Sequence, residues 1–154
     1  MSEIVIRAAR LEDADAVISI DQASFSQPWL PATVHSAIEK AAHGDYIALV
    51  AEQDGAICGF VVAWTVREEG EIATIAVREV ARGQGIGRRL LEAALNECKR
   101  RGATDIFLEV RPGNEIARRL YESCGFRVAG VRPKYYRDGD DAVIMRNEEL
   151  RIEN

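Results

Sequence analysis

Gly83, Gly85 and Gly87 interrupt a run that starts Thr74-Ile-Ala-Val-Arg and ends Gly87-Arg-Arg-Leu-Leu. The β-branched start reads as a strand, and the end as an amphipathic helix. Glycine lacks a Cβ, so a backbone rich in it lets a ligand approach closely. The amides that follow lie at a helix N-terminus, unpaired and backed by the positive end of the helix dipole, which suits a phosphate. The alternative is a strand-to-helix connection that merely happens to be glycine-rich. Two common phosphate loops fail on the letters. A P-loop ends Gly-Lys-Ser/Thr, whereas this loop ends Gly87-Arg88-Arg89. A dinucleotide fingerprint needs glycine at its sixth position, which counted from Gly83 is Arg88.

The remaining pattern, Arg82-Gly83-Gln84-Gly85-Ile86-Gly87, resembles the pyrophosphate loop of the GNAT superfamily of N-acetyltransferases, which bind acetyl-coenzyme A. Glu109 to Phe126 looks like the second half of that coenzyme site. Tyr135-Tyr136 followed by Asp140 to Met145 looks like the RimI branch. The likeness covers nearly the whole chain, with Thr74, Gly113 and Asp140 departing from residues usual in the branch.

The resemblance implies the roles. Ile75, Ala76 and Val77 would offer backbone groups to the pantetheine arm, and one of their amides would polarise the thioester carbonyl. Arg82, Gly83, Gln84, Gly85, Ile86, Gly87 and Arg88 would hold the pyrophosphate, with Asn114 also on the cofactor. Glu109 resembles the family's general base and Tyr121 its general acid. The chemistry needs such a pair, because the attacking amine must be neutral and the expelled thiolate must be protonated. The sequence shows no second base beside Glu109. The implied acceptor is the N-terminal peptide of a protein, ribosomal proteins included, beginning with a small residue such as alanine. A small-molecule amine, a lysine side chain and a non-catalytic acyl-CoA-binding module are the other readings.

These residues need elements to position them, and the chain supplies the order β-α-α-β-β-β-α-β-α-β-β. That reads as one α/β domain, a mixed sheet with helices on both faces, over residues 1–150 with a tail at 151–154. Asp13 is a candidate cap of the first helix, and Pro31 opens the second. Asp54-Gly55 and Glu69-Gly70 are candidate turns, with Gly59 a candidate bulge between them. Asn114 caps a short helix that Gly125 ends. Phe126–Tyr136 and Ala142–Glu148 then pair as a hairpin. Phe25 and Trp29, in a proline-broken loop, are either core plugs or walls of an acceptor pocket. Tyr135 and Tyr136 are either ordinary strand aromatics or a narrowing of its entrance.

Composition excludes other classes. At 154 residues, 47% hydrophobic and 29% charged, the chain is an ordinary globule. A net charge of −5 argues against general nucleic-acid binding. The longest nearly apolar run, Ala56 to Val66, is too short to span a bilayer. Cys58, Cys98 and Cys124, with no Cys-x-x-Cys, read as small core residues in a reducing compartment. The expectation is a cytoplasmic enzyme without a metal. Acetyl-CoA at about a hundred times its dissociation constant should stabilise the fold by roughly 2.7 kcal/mol. A thermal-shift response to NAD or ATP, with none to acetyl-CoA, would overturn the cofactor assignment.

Overall fold

The computed structural model describes residues 2–147. In chain order these form β1 (Ile4–Ala8), α1 (Ala14–Ser24), α2 (Pro31–Ala42), β2 (Ile47–Gln53), β3 (Ala56–Val66) and β4 (Glu69–Val77). Then come α3 (Ile86–Arg100), β5 (Asp105–Val110), α4 (Glu115–Ser123), β6 (Phe126–Arg132) and β7 (Ala142–Asn147). The element order is the one the sequence implies. Glu148 and the tail at 151–154 lie outside the described residues. No described helix is long and apolar enough to cross a membrane.

Local chemistry explains most boundaries. Asp54 and Gly55 both take positive φ (55° and 78°), as a two-residue hairpin requires. Pro31 occupies the first turn of α2, where its missing N–H costs nothing. The Asn114 side chain accepts the Ala117 N–H at 3.2 Å and so caps α4. Three expectations need correction. The Asp13 side chain does not cap α1. It makes a two-point bridge to Arg7 (2.8 and 3.0 Å) and accepts the Arg10 N–H at 2.7 Å. The turn before β4 is Arg67-Glu68, with Arg67 at φ 57°. Gly70 lies inside the strand, where a Cβ would stand 3.3 Å from Cys98 Sγ on α3. Finally, β6 ends at Arg132, so Tyr135 and Tyr136 stand in the hairpin loop and not in a strand.

The seven strands form one sheet in the order β1-β2-β3-β4-β5-β7-β6. Every neighbouring pair is antiparallel except β4–β5, which α3 joins as a crossover. On one face α1 and α2 bury Val17, Ile20, Val34 and Ile38 against Val50, Phe60 and Val62. On the other, α3 and α4 bury Leu90, Leu91 and Tyr121 with Ile106, Leu108 and Met145. Irregularities interrupt the ladders at two places beside β3. One skips Cys58, next to rather than at Gly59. The other skips Ala73 in β4, since Val62 pairs with Thr74 and Ala63 with Ile72. The parallel β4–β5 ladder ends at the same point, with Ile72–Leu108 its last pair.

Candidate active site

Beyond Ile72, residues Ile75, Ala76 and Val77 pair with β3 on one side and with nothing in β5 on the other. A strand edge left this way carries backbone groups free to bind an extended ligand. The gap is a cleft of about 200 Å³ reached by Thr74, Ile75, Glu109, Asn114 and Tyr121. Past the end of β4, Gly83 and Gly85 take φ values of 84° and 80°, and Gly85 is the N-cap of α3. A Cβ at either would meet nothing within 4 Å, so the loop surface is open to a ligand. Gly87 serves packing as well, its Cβ position lying 3.4 Å from Leu120 on α4.

The neighbouring side chains brace this loop. The Arg82 Nε donates to the Val77 carbonyl at 3.1 Å, and the Gln84 amide donates to the Ala81 carbonyl at 3.1 Å. Arg88 ties α3 to the end of α4 through Ser123 Oγ at 2.9 Å. Ile86 is buried in the core, which leaves only its backbone for a ligand. The loop therefore fits a phosphate-bearing group, with open backbone at a helix start and two guanidinium groups beside it.

Glu109 lines two cavities at once, the cleft and a larger one of about 700 Å³ on the side of β6. Arg132 Nη1 lies 3.3 Å from its Oε2, and Tyr135 borders the same larger cavity. Tyr121, 8% exposed, sits edge-on to Phe126 with ring centroids 6.0 Å apart. Burial, with Tyr136 adding to it, pushes its pKa up to about 12, so the hydroxyl keeps its proton through the whole neutral range. Tyr135 and Tyr136 meet edge to face at 5.1 Å. The Arg111 guanidinium lies 4.0 Å over the Tyr136 ring and pairs with Asp138 (2.9 Å) and Asp140 (3.3 Å), which fixes the hairpin loop.

The sequence-based site is thus assembled in one region but divided between two cavities. Phe25, Trp29 and Tyr136 face the cleft with Glu109, Asn114 and Tyr121, whereas Tyr135 faces the larger cavity. Trp29 lines the cleft and also packs on the core of α1 and α2. Asp21, Trp64, Glu71 and Arg132 border these cavities and carry no signal in the sequence alone. Glu71 could have been found only by knowing that β4 pairs with β5, which sets which face its side chain takes.

A parallel pair that separates beside a glycine loop, with a carboxylate and a phenol facing the gap, is the arrangement of an acyl-transfer enzyme using an extended, phosphate-bearing donor. The chain belongs to the acetyltransferase (GNAT) family, within its RimI-like branch of N-acetyltransferases, the family's profile matching residues 14–126. A Bacillus subtilis protein provisionally named ribosomal protein bS18-alanine N-acetyltransferase is 36% identical over 145 residues, covering 94% of this chain and 95% of its own. The crystal structure of the ribosomal-protein-S18-alanine N-acetyltransferase from Escherichia coli superposes with a TM-score of 0.86 at 32% identity. That match covers 99% of this chain and 97% of the other. A Salmonella typhimurium acetyltransferase structure holding acetyl-CoA shares the fold with a TM-score of 0.85 at 22% identity, over 99% and 97% of the two chains.

Asp21 anchors the loop beside the cleft. It is 2% exposed and accepts the Trp29 N–H at 2.8 Å. Burial raises its pKa against that hydrogen bond. A raised folded value means its contribution is present below the unfolded pKa of about 3.9 and lost as pH rises through the folded value. Asp21→Asn keeps the acceptor oxygen and cannot ionise. Its stability relative to the parent, from urea unfolding, should therefore be more favourable at pH 7 than at pH 3.5. A pH-independent difference would overturn the assignment.

Proposed function

We propose that this chain transfers the acetyl group of acetyl-CoA to the N-terminal α-amine of a protein, favouring a small first residue such as alanine. The observation that carries this is the position of Glu109, shared by a cleft that suits the donor and a cavity large enough for a peptide end. The names of the Bacillus subtilis and Escherichia coli relatives support a ribosomal protein as acceptor. The Salmonella typhimurium complex supports acetyl-CoA as donor.

Each residue has a task in this reaction. The unpaired edge of Ile75, Ala76 and Val77 holds the donor's arm, and one of its N–H groups polarises the thioester carbonyl. An oxyanion donor of this kind contributes about 3–4 kcal/mol. The loop from Gly83 to Arg88 holds the pyrophosphate through backbone amides and the Arg88 charge. Glu109 takes a proton from the attacking amine, directly or through a water. Tyr121 gives its proton to the thiolate as the C–S bond breaks, a transfer that works because the cleft holds donor and acceptor together.

The α-amine suits one well-placed carboxylate better than lysine does. Its pKa is near 7.7–8.0 against about 10.4 for lysine, a difference of about 2.5 units or roughly 3.4 kcal/mol of deprotonation cost. Free Ala- or Ser-starting peptides should therefore be acetylated well above α-blocked lysine peptides, as read by mass spectrometry of a peptide library incubated with acetyl-CoA. Equal use of blocked lysine peptides, or of small amines, would sink the proposal. Tyr121→Phe should keep the fold and the affinity for CoA while turnover falls about a hundred- to ten-thousand-fold. Full turnover in that variant would return Tyr121 to a packing role.

A further inference from the structure

Residues 133–141 join β6 to β7 as a loop folded largely on itself. The Tyr136 N–H donates to the Asp140 carbonyl at 3.1 Å, and the Gly139 N–H to the Tyr136 carbonyl at 2.9 Å. Asp138 accepts the Asp140 N–H at 3.1 Å, and Asp141 accepts the Lys134 N–H at 3.0 Å. Bonds closed within so few residues make Tyr136, Asp138 and Asp140 one piece. Among the described residues, every ion pair that leaves this loop goes to Arg111. Its Nη1 serves both aspartates, at 2.9 and 3.1 Å from the Asp138 oxygens and 3.3 Å from Asp140. The same guanidinium covers the Tyr136 ring at 4.0 Å. A planar fork can stack and pair at once, which a lysine ammonium cannot.

Arg111 stands two residues beyond Glu109 and opens the turn that leads into α4. Asn114 closes that turn, its N–H donating to the Arg111 carbonyl at 3.0 Å. Arg118 on α4 braces it by donating to the Pro112 carbonyl at 3.2 Å. The backbone of the turn is therefore held without the Arg111 side chain, which is left to act on the hairpin loop. Arg111, Tyr136 and Glu109 all border the cleft.

We propose that Arg111 is a positioning residue for the acceptor: its side chain latches the hairpin loop, sets Tyr136 as a wall of the cleft, and leaves the donor's place alone. This rests on the transfer to a protein N-terminus set out above. An unlatched loop carries Tyr136 off as a unit, and the acceptor loses that wall. The free edge of β4 and the glycine loop before α3 make no contact with the latch, so the donor keeps its grip. The Asp140 N–H first, and Arg111 second, hold the Asp138 carboxyl below its usual range, so the latch stays charged at neutral pH. Both aspartates are half exposed, so added salt should loosen it.

The test is steady-state kinetics of Arg111→Gln and the parent on an Ala-starting peptide with no charged side chains, at saturating acetyl-CoA. A ring contact of this kind and two screened ion pairs together amount to about a tenfold effect. Peptide KM should therefore rise about tenfold. kcat should stay within about threefold, and the thermal shift given by CoA should be unchanged. Between about 0.1 M and 1 M salt the screening length falls from about 10 Å to about 3 Å, and the ratio of the two KM values should shrink. Arg111→Lys keeps the charge without the stacking and should fall between the two. An unchanged KM, a ratio indifferent to salt, or an equal loss of CoA affinity would overturn the proposal. Should Arg111→Gln fail to fold, Asp138→Asn with Asp140→Asn on the loop surface should raise peptide KM in the same direction; an unchanged value overturns it equally.

Trypsin supplies an arm that needs no acceptor, since Lys134 and Arg137 are exposed cleavage points in the loop. Cleavage there should be about tenfold faster in Arg111→Gln than in the parent, because cleavage follows the population of the opened loop. Equal cleavage rates would overturn the latch. If the parent ignores N-terminal peptides while the variant's loop is cut faster, the proposed acceptor is wrong and the latch stands.

Discussion

The sheet is continuous across β4 and β5 through four parallel pairs only, from Glu69–Asp105 to Ile72–Leu108. Both strands run on beyond that point without each other, β4 to Val77 and β5 to Val110. The bulge at Ala73 turns β4 as it leaves the ladder, and Ile75 and Val77 pack towards α3. Backbone groups that would have paired are left facing a gap, where a ligand or water must satisfy them. The cleft, the glycine loop and Glu109 all take their places from that separation.

Electrostatics around the gap follow from the same geometry. Two acidic side chains on neighbouring strands cannot both lose their water without penalty, and Glu71 registers this as a raised pKa. Arg132 lies against Glu109, and Arg111 against Asp138 and Asp140, so the hairpin that walls the larger cavity is held by charge on both sides. Arg132 is 60% exposed at its side chain, so its pairing with Glu109 is solvent-screened and positions more than it stabilises.

Much of this is legible in the letters. The glycine spacing, the apolar stripe of α3 and the Asn114 cap are local signals, and each marks the element it should. Strand order and parity are not local. Gly70 reads as a turn residue until Cys98 is seen above it, and the Ala73 bulge leaves no mark in composition. Glu71 carries no local signal for the same reason, since its face depends on a partner strand more than thirty residues away. Asp13 reads as a cap because its type favours caps, but Arg7 on the neighbouring strand makes the stronger demand.

The short parallel ladder also divides the chain as a folding problem. β2, β3 and β4 join through tight antiparallel turns, so their contacts are local in sequence and close at little entropic cost. The β4–β5 pairs close only across the whole of α3, a loop whose entropy must be recovered by four rungs and by the packing of Leu90, Leu91 and Cys98. The border between these two units runs along the floor of the cleft. A donor lying there touches both at once, and so clamps the seam that the chain alone closes least firmly.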